Sequence, residues 1–135
     1  MGFLSRLFGS GSTETDYLTI NPTGRFALEV VGESHYQDNF QTICGPRTTD
    51  GEDRIVDAQL FLEDDNPYDN QAVLVRIRSL SVGHLRGNDA RDYRKALRDM
   101  GHPRAVVTCK ARITGGWRRK GGKEGHYGVW LDIPT

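Results

Sequence analysis

Cysteine is nearly absent. The 135 residues hold only Cys44 and Cys109, with no C-x-x-C pair, so neither a disulfide framework nor a zinc ribbon is signalled and both thiols are expected to stay reduced. Four scattered histidines, His35, His84, His102 and His126, offer no ligand spacing either, and no metal or cofactor is expected. No apolar run approaches the roughly 18 residues of a membrane span, and no G-x-x-x-x-G-K-[ST] loop occurs, which sets aside a spanning segment and ATP hydrolysis. The opening Met1-Gly2-Phe3-Leu4-Ser5-Arg6-Leu7-Phe8 is too short for a signal peptide and lacks a small-residue cleavage site. Arg6 also stands where a myristoylation signal needs Ser or Thr. The expectation is a cytoplasmic protein with no membrane partner.

Net charge is the other absence. Eighteen basic and eighteen acidic side chains cancel, yet residues 1–75 carry 4 basic and 13 acidic groups, whereas 76–135 carry 14 and 5. A basic half gathered on one surface would be a footprint for a polyanion; interleaved with the acidic half, it would be neutralised across strands. Charge alone leaves both open. A chain of this length removes about two thirds of its unfolded surface from water, enough for a core without a covalent or metal staple. Gly9-Ser10-Gly11-Ser12-Thr13 reads as a linker, which makes 1–15 a flexible tail and 16–135 one domain. Sixteen glycines and an apolar fraction of 36% favour turn-rich strands over a helical bundle.

Alternation with period two recurs along the domain. Phe26, Leu28 and Val30 share one face of a strand that ends at Gly32. Val56, Ala58, Leu60 and Leu62 mark a second strand and Val73, Val75 and Ile77 a third, with turn-forming residues over 64–70 between them. Ala105, Val107, Cys109, Ala111 and Ile113, then Tyr127, Val129, Leu131 and Ile133, mark two more, joined by a basic, glycine-bracketed loop over 115–123. One helix is capped by Asn88 or Asp89, carries Ala90, Tyr93, Leu97 and Met100 on its apolar face, and stops at Gly101. Its other face, Arg91, Arg94, Lys95 and Arg98, reads as solvated. Tyr36, Phe40 and Ile43 suggest a shorter helix over 36–44. The predicted fold is mainly β: a small OB-like or SH3-like barrel of about five or six strands with one or two flanking helices, closed so that no strand edge is left bare.

Three segments then occur in a telling order: Val30-Val31-Gly32-Glu33-Ser34-His35-Tyr36, Asn66-Pro67-Tyr68-Asp69-Asn70-Gln71-Ala72-Val73, and Ser81-Val82-Gly83-His84-Leu85 before the helix. Over about residues 25–133 the chain resembles the HIRAN domain, which stands at the N-terminus of SWI/SNF-type helicases such as helicase-like transcription factor and alone in bacteria. This chain resembles the stand-alone kind. The resemblance implies an OB-like barrel that captures the 3′-hydroxyl end of single-stranded DNA in repair or replication-fork processing, without catalysis of its own. A helicase or nuclease acting in trans is the implied partner.

The residues fit that chemistry. An Asp on a rigid loop accepts a hydrogen bond from a sugar hydroxyl and repels a 3′-phosphate, the role that falls to Asp69. Tyr68 would stack on the terminal base, Pro67 would hold the loop stiff, and Asn66 is expected among the DNA contacts. His35 and Tyr36 offer stacking or phosphate contact, while Ser34 stands where eukaryotic members place an arginine. Arg86 takes the first basic position after the V-G-H-L segment, with His84 beside it. Trp117 within Arg118, Arg119, Lys120 and Lys123 is the aromatic-in-basic arrangement that tracks a single strand. Each feature also has a plainer reading: 66–70 as an ordinary turn, His84 as a structural histidine, Trp117 as a plug at one end of the barrel. Binding through few phosphates should be weak to moderate and salt-sensitive.

Two alternatives belong to other classes. Glu63, Asp64, Asp65 and Asp69 could gather magnesium for a nuclease, but they lie consecutively in one loop, whereas two-metal cleavage needs carboxylates from separate elements. A protein-interaction module is the other, because a small barrel does not fix its ligand.

Overall fold

The computed structural model describes residues 16–134, and the tail expected over 1–15 lies outside the described residues. In chain order the elements are β1 (Tyr17–Thr19), β2 (Leu28–Val31), a 3-10 turn (Glu33–Tyr36), α1 (Gln37–Cys44), β3 (Glu52–Glu63), β4 (Ala72–Ile77), β5 (Leu80–Leu85), α2 (Gly87–Asp99), β6 (Val106–Gly115), the short pair β7 (Arg118–Arg119) and β8 (Lys123–Glu124), and β9 (Tyr127–Leu131).

Six of these strands close a barrel in the order β6-β3-β4-β5-β2-β9, with β9 returning to β6. Every pairing in that ring is antiparallel. The seventh strand, β1, runs parallel to the start of β6. The fold is therefore the small OB-like barrel with two helices that the sequence predicts, and β1 and β5 are strands the alternation did not mark. Inward residues of β3, β4, β6 and β9, among them Ala58, Leu60, Val73, Val75, Val107, Ala111, Ile113 and Val129, are sealed from solvent. Ala90, Tyr93 and Leu97 of α2 and Phe40 and Ile43 of α1 join the same cluster.

Two local features bear on function. Val75 pairs with Gly83 but Arg76 with Ser81, so Val82 is an extra residue that bulges β5 just before His84. At Gly83 (φ +156) β2 passes so close that a Cβ would stand 2.5 Å from Val30 Cγ1 and 2.7 Å from the Val31 carbonyl oxygen. The second feature is the start of α2. It begins at Gly87, with Arg86 as its N-cap and no side-chain cap bond, where the sequence predicts capping by Asn88 or Asp89.

The charge imbalance between the halves is cancelled in part in space. Five ion pairs join an acid of the first half to a base of the second: Glu29–Arg86, Asp69–Arg91, Asp64–Arg94, Asp57–Lys110 and Asp53–Arg112. Antiparallel pairing places Asp57 opposite Lys110, and Asp53 lies two residues from Ile55, the partner of Arg112, and so on the same face, so these two pairs follow from the register itself. No helix among the described residues is long and apolar enough to cross a membrane.

Candidate nucleic-acid interface

The loop 64–71 between β3 and β4 is held by its own side chains. Asn66 Oδ1 accepts from the Tyr68 N–H (2.8 Å) and the Asp69 N–H (3.2 Å), and Asp69 Oδ1 accepts from the Gln71 N–H (2.9 Å). These are the short-range bonds by which Asn and Asp build turns without regular structure. The Asn66 amide also donates to Glu63 Oε1 (3.1 Å), tying the loop to the end of β3. Tyr68 is the consequence: fixed at its backbone, its side chain stands in solvent at 96% exposure.

The loop is braced again from α2. Arg94, only 8% exposed, donates from Nε to the Gln71 carbonyl (2.7 Å), from Nη2 to the Ala72 carbonyl (2.9 Å) and from Nη1 to Asp64 (2.7 Å). Arg91 faces Asp69 through both terminal nitrogens, each 3.3 Å from a carboxylate oxygen. The Gln71 N–H and then Arg91 hold the Asp69 carboxyl below the usual aspartate range, so it is an acceptor at neutral pH. Arg91 and Arg94 are the contributors that sequence reasoning missed. Both fall on the helix face read as solvated, and the buried Arg94 corrects that reading.

From the loop, a row of polar and aromatic groups continues over the outer face. Glu63 Oε1 lies 2.7 Å from His84 Nε2, the His84 ring centroid is 6.4 Å from that of Tyr36, and Tyr36 meets His35 edge to face at 6.5 Å. Antiparallel pairing of Val31 with His84 sets the end of β2, and so the 3-10 turn, beside β5. Arg86 reaches Glu29 on β2 (2.8 Å). Burial holds the Glu33 carboxyl in that turn above the ordinary glutamate range, although the Val129 N–H bonds to it. His35, Tyr36, His84, Arg86, Asn66, Tyr68 and Asp69 thus sit in the 3-10 turn, the end of β5 and the loop, with Glu63 linking His84 to Asn66.

The hairpin group is placed elsewhere. Trp117 bridges to Thr48 and packs so closely on Gly125 that a Cβ there would lie 2.2 Å from the indole nitrogen. Arg119 lies over the indole at 4.4 Å, and Arg118 is paired with Glu124. Beside this hairpin Gly115 pairs with Glu52, eleven residues along β3 from Glu63, roughly 36 Å of extended strand. The structure does not join Trp117, Arg118 and Arg119 to the Asp69 loop. The indole face on which a base would stack is used within the chain.

Among the acidic residues, Glu63, Asp64 and Asp69 each turn to a different partner, His84, Arg94 and Arg91. No three His, Cys, Asp or Glu side chains converge as a metal centre requires among the described residues. No protein-family model, curated protein or solved structure matches this chain.

Proposed function

We propose that this chain is a HIRAN-like, non-catalytic module that binds the 3′ end of single-stranded DNA, with Asp69 accepting a hydrogen bond from the terminal hydroxyl and Tyr68 stacking on the last base. One observation carries the reading: an almost fully exposed tyrosine beside an ionised, partly exposed aspartate, on a loop held by its own side chains and by two arginines of α2. An exposed aromatic on a rigid backbone offers a base a stacking surface without the cost of ordering the loop. His84, Tyr36 and His35 form the adjoining wall, and Arg86 supplies charge next to it. The setting in repair or fork processing, in bacterial cytoplasm and beside a helicase or nuclease, belongs to the same proposal through the resemblance of the three sequence segments.

Fluorescence anisotropy tests it with one short single strand, presented either with an accessible 3′ end or with only its 5′ end accessible, at fixed salt. Preference for the accessible 3′ end, abolished in Asp69→Ala, is the expected result. Equal binding of the two would reduce the protein to a general polyanion binder, and no binding of either would favour a protein partner.

A further inference from the structure

The register sets a row of side chains on the outer face of the barrel. His84 on β5 pairs with Leu74 on β4, and Leu74 pairs with Phe61 on β3. Leu60 pairs with Val107, which brings Val106 of β6 beside Phe61, and Tyr17 on β1 pairs with Val106. The row thus leaves the candidate interface at His84 and ends four strands away, roughly 19 Å on, at a tyrosine that is 74% exposed. Two arginines along it, Arg76 and Arg104, have no hydrogen bond or ion pair among the described residues. Arg76, two residues from Leu74 and so on the same face, lies with its guanidinium 4.6 Å from the centre of the Phe61 ring, and its Nε is enclosed without an acceptor. Arg104, exposed just ahead of β6, lines a cleft of about 240 Å³ with Phe61, Val106 and Asp64. Asp64 is the acid of that cleft and is paired with Arg94 (2.7 Å), which also holds the Gln71 and Ala72 carbonyls, so the cleft opens at the foot of the loop 64–71.

We propose that a single strand seated by its 3′ end runs back across this face, with its phosphodiesters on Arg76 and Arg104 and a base stacked on Tyr17; this rests on the reading of the loop as a 3′-end site. The cations distinguish this course from others. Arg86, Arg91 and Arg112 are each held by a carboxylate, Glu29, Asp69 and Asp53, and must give up that partner to take a phosphate. Arg76 and Arg104 have no such partner to lose, so a phosphodiester gains their charge without breaking a pair. Attraction to the face of the Phe61 ring holds the Arg76 guanidinium in place, and its terminal nitrogens remain to donate to phosphate oxygens. Cations along the backbone with an exposed aromatic beside them are the pattern by which proteins hold single strands without reading sequence. The opposite course, over β2 and β9, meets the partly exposed Trp130 but only the paired Arg86 and Arg112. The face of β3, β4 and β6 therefore takes the tracking role that composition assigned to Trp117, Arg118 and Arg119.

The test reads dissociation constants from backbone amide NMR shifts in the loop 64–71, for a dinucleotide and for a strand of about ten nucleotides, both with accessible 3′ ends and at fixed salt. Because the ratio of the two affinities is taken within one protein sample, partial unfolding of a variant cancels. The wild type is expected to bind the longer strand about fiftyfold more tightly. Arg76→Gln combined with Arg104→Gln should cut that advantage about tenfold, and Tyr17→Ala about fivefold, each with the dinucleotide affinity unchanged. Asp69→Ala should weaken both strands alike. No advantage in the wild type, one that survives the Arg76 and Arg104 substitutions, or one that falls in Trp130→Ala instead overturns the proposal. With Asp69→Ala still weakening the dinucleotide, 3′-end capture then stands. A dinucleotide that moves no amide of the loop overturns both.

Discussion

Asp69 is ionised and oriented by its neighbours, the Gln71 N–H above all and then Arg91, and Tyr68 is positioned by bonds to its backbone rather than by packing of its ring. Role and stability therefore separate at Tyr68. Tyr68→Ala should weaken single-strand binding by about 1–3 kcal/mol, the worth of one base–aromatic stack, while the melting temperature stays within about a degree because an exposed side chain is removed. A large fall in melting temperature would show that the ring packs on the barrel instead. Sequence reasoning reached Tyr68 and Asp69 through the resemblance carried by the Asn66-Pro67-Tyr68-Asp69 segment; the turn-forming residues alone mark only a loop between two strands. It could not reach Arg91, since a helix face shows which residues point outward but not which loop lies opposite. At Trp117 the composition could not show the local packing, in which Arg119 lies over the indole and Gly125 sits close against it.

Helix α2 and the loop 64–71 act as one unit through Arg94, whose three bonds span Asp64 to Ala72. Arg94→Met keeps much of the apolar stem but leaves the Gln71 and Ala72 carbonyls without their donor. The expected cost is about 1–3 kcal/mol of stability, with hydrogen-exchange protection lost first at Asp69, Gln71 and Ala72, whose amides close the loop. Unchanged protection there would mean that the loop's own bonds suffice. The long strands were legible because their inward residues alternate without interruption. Other elements were not: β1 has only three residues and is fixed by pairing with β6, and the turn from β4 to β5 uses Arg78 and Ser79 at positive φ where Gly or Asn would have announced it. The bulge at Val82 likewise depends on β2 crossing Gly83, a contact between segments some fifty residues apart.

Across the barrel, acids of the first half meet bases of the second, so attraction for a polyanion is local and rests on the few cations around the loop. The logarithm of the binding constant should fall with the logarithm of salt concentration with a slope of roughly −1 to −2, as for two or three single-strand phosphates. A slope near −5 would place binding on a broad basic surface instead of the loop. The fold also carries a buried acid far from this loop. Burial raises the Asp132 carboxyl, but the Thr23 hydroxyl and the Gly24 and Thr23 N–H groups outweigh it and hold it below the ordinary value of 3.8. Its folded value is thus lower than its unfolded one, so its stabilisation is complete above pH 4 and is lost as pH falls through the folded value. Asp132→Asn should lower the melting temperature at pH 7 and flatten its decline below pH 4; an unaltered acid limb would assign that decline to other groups. The central claim, that a strand end seats on the loop braced by α2, is tested most directly by mapping backbone amide NMR shifts during titration with a short single strand with an accessible 3′ end. The largest changes are predicted at Tyr68, Asp69, Gln71, His84 and Arg91, and changes centred on Trp117, Arg118 and Arg119 instead would contradict it.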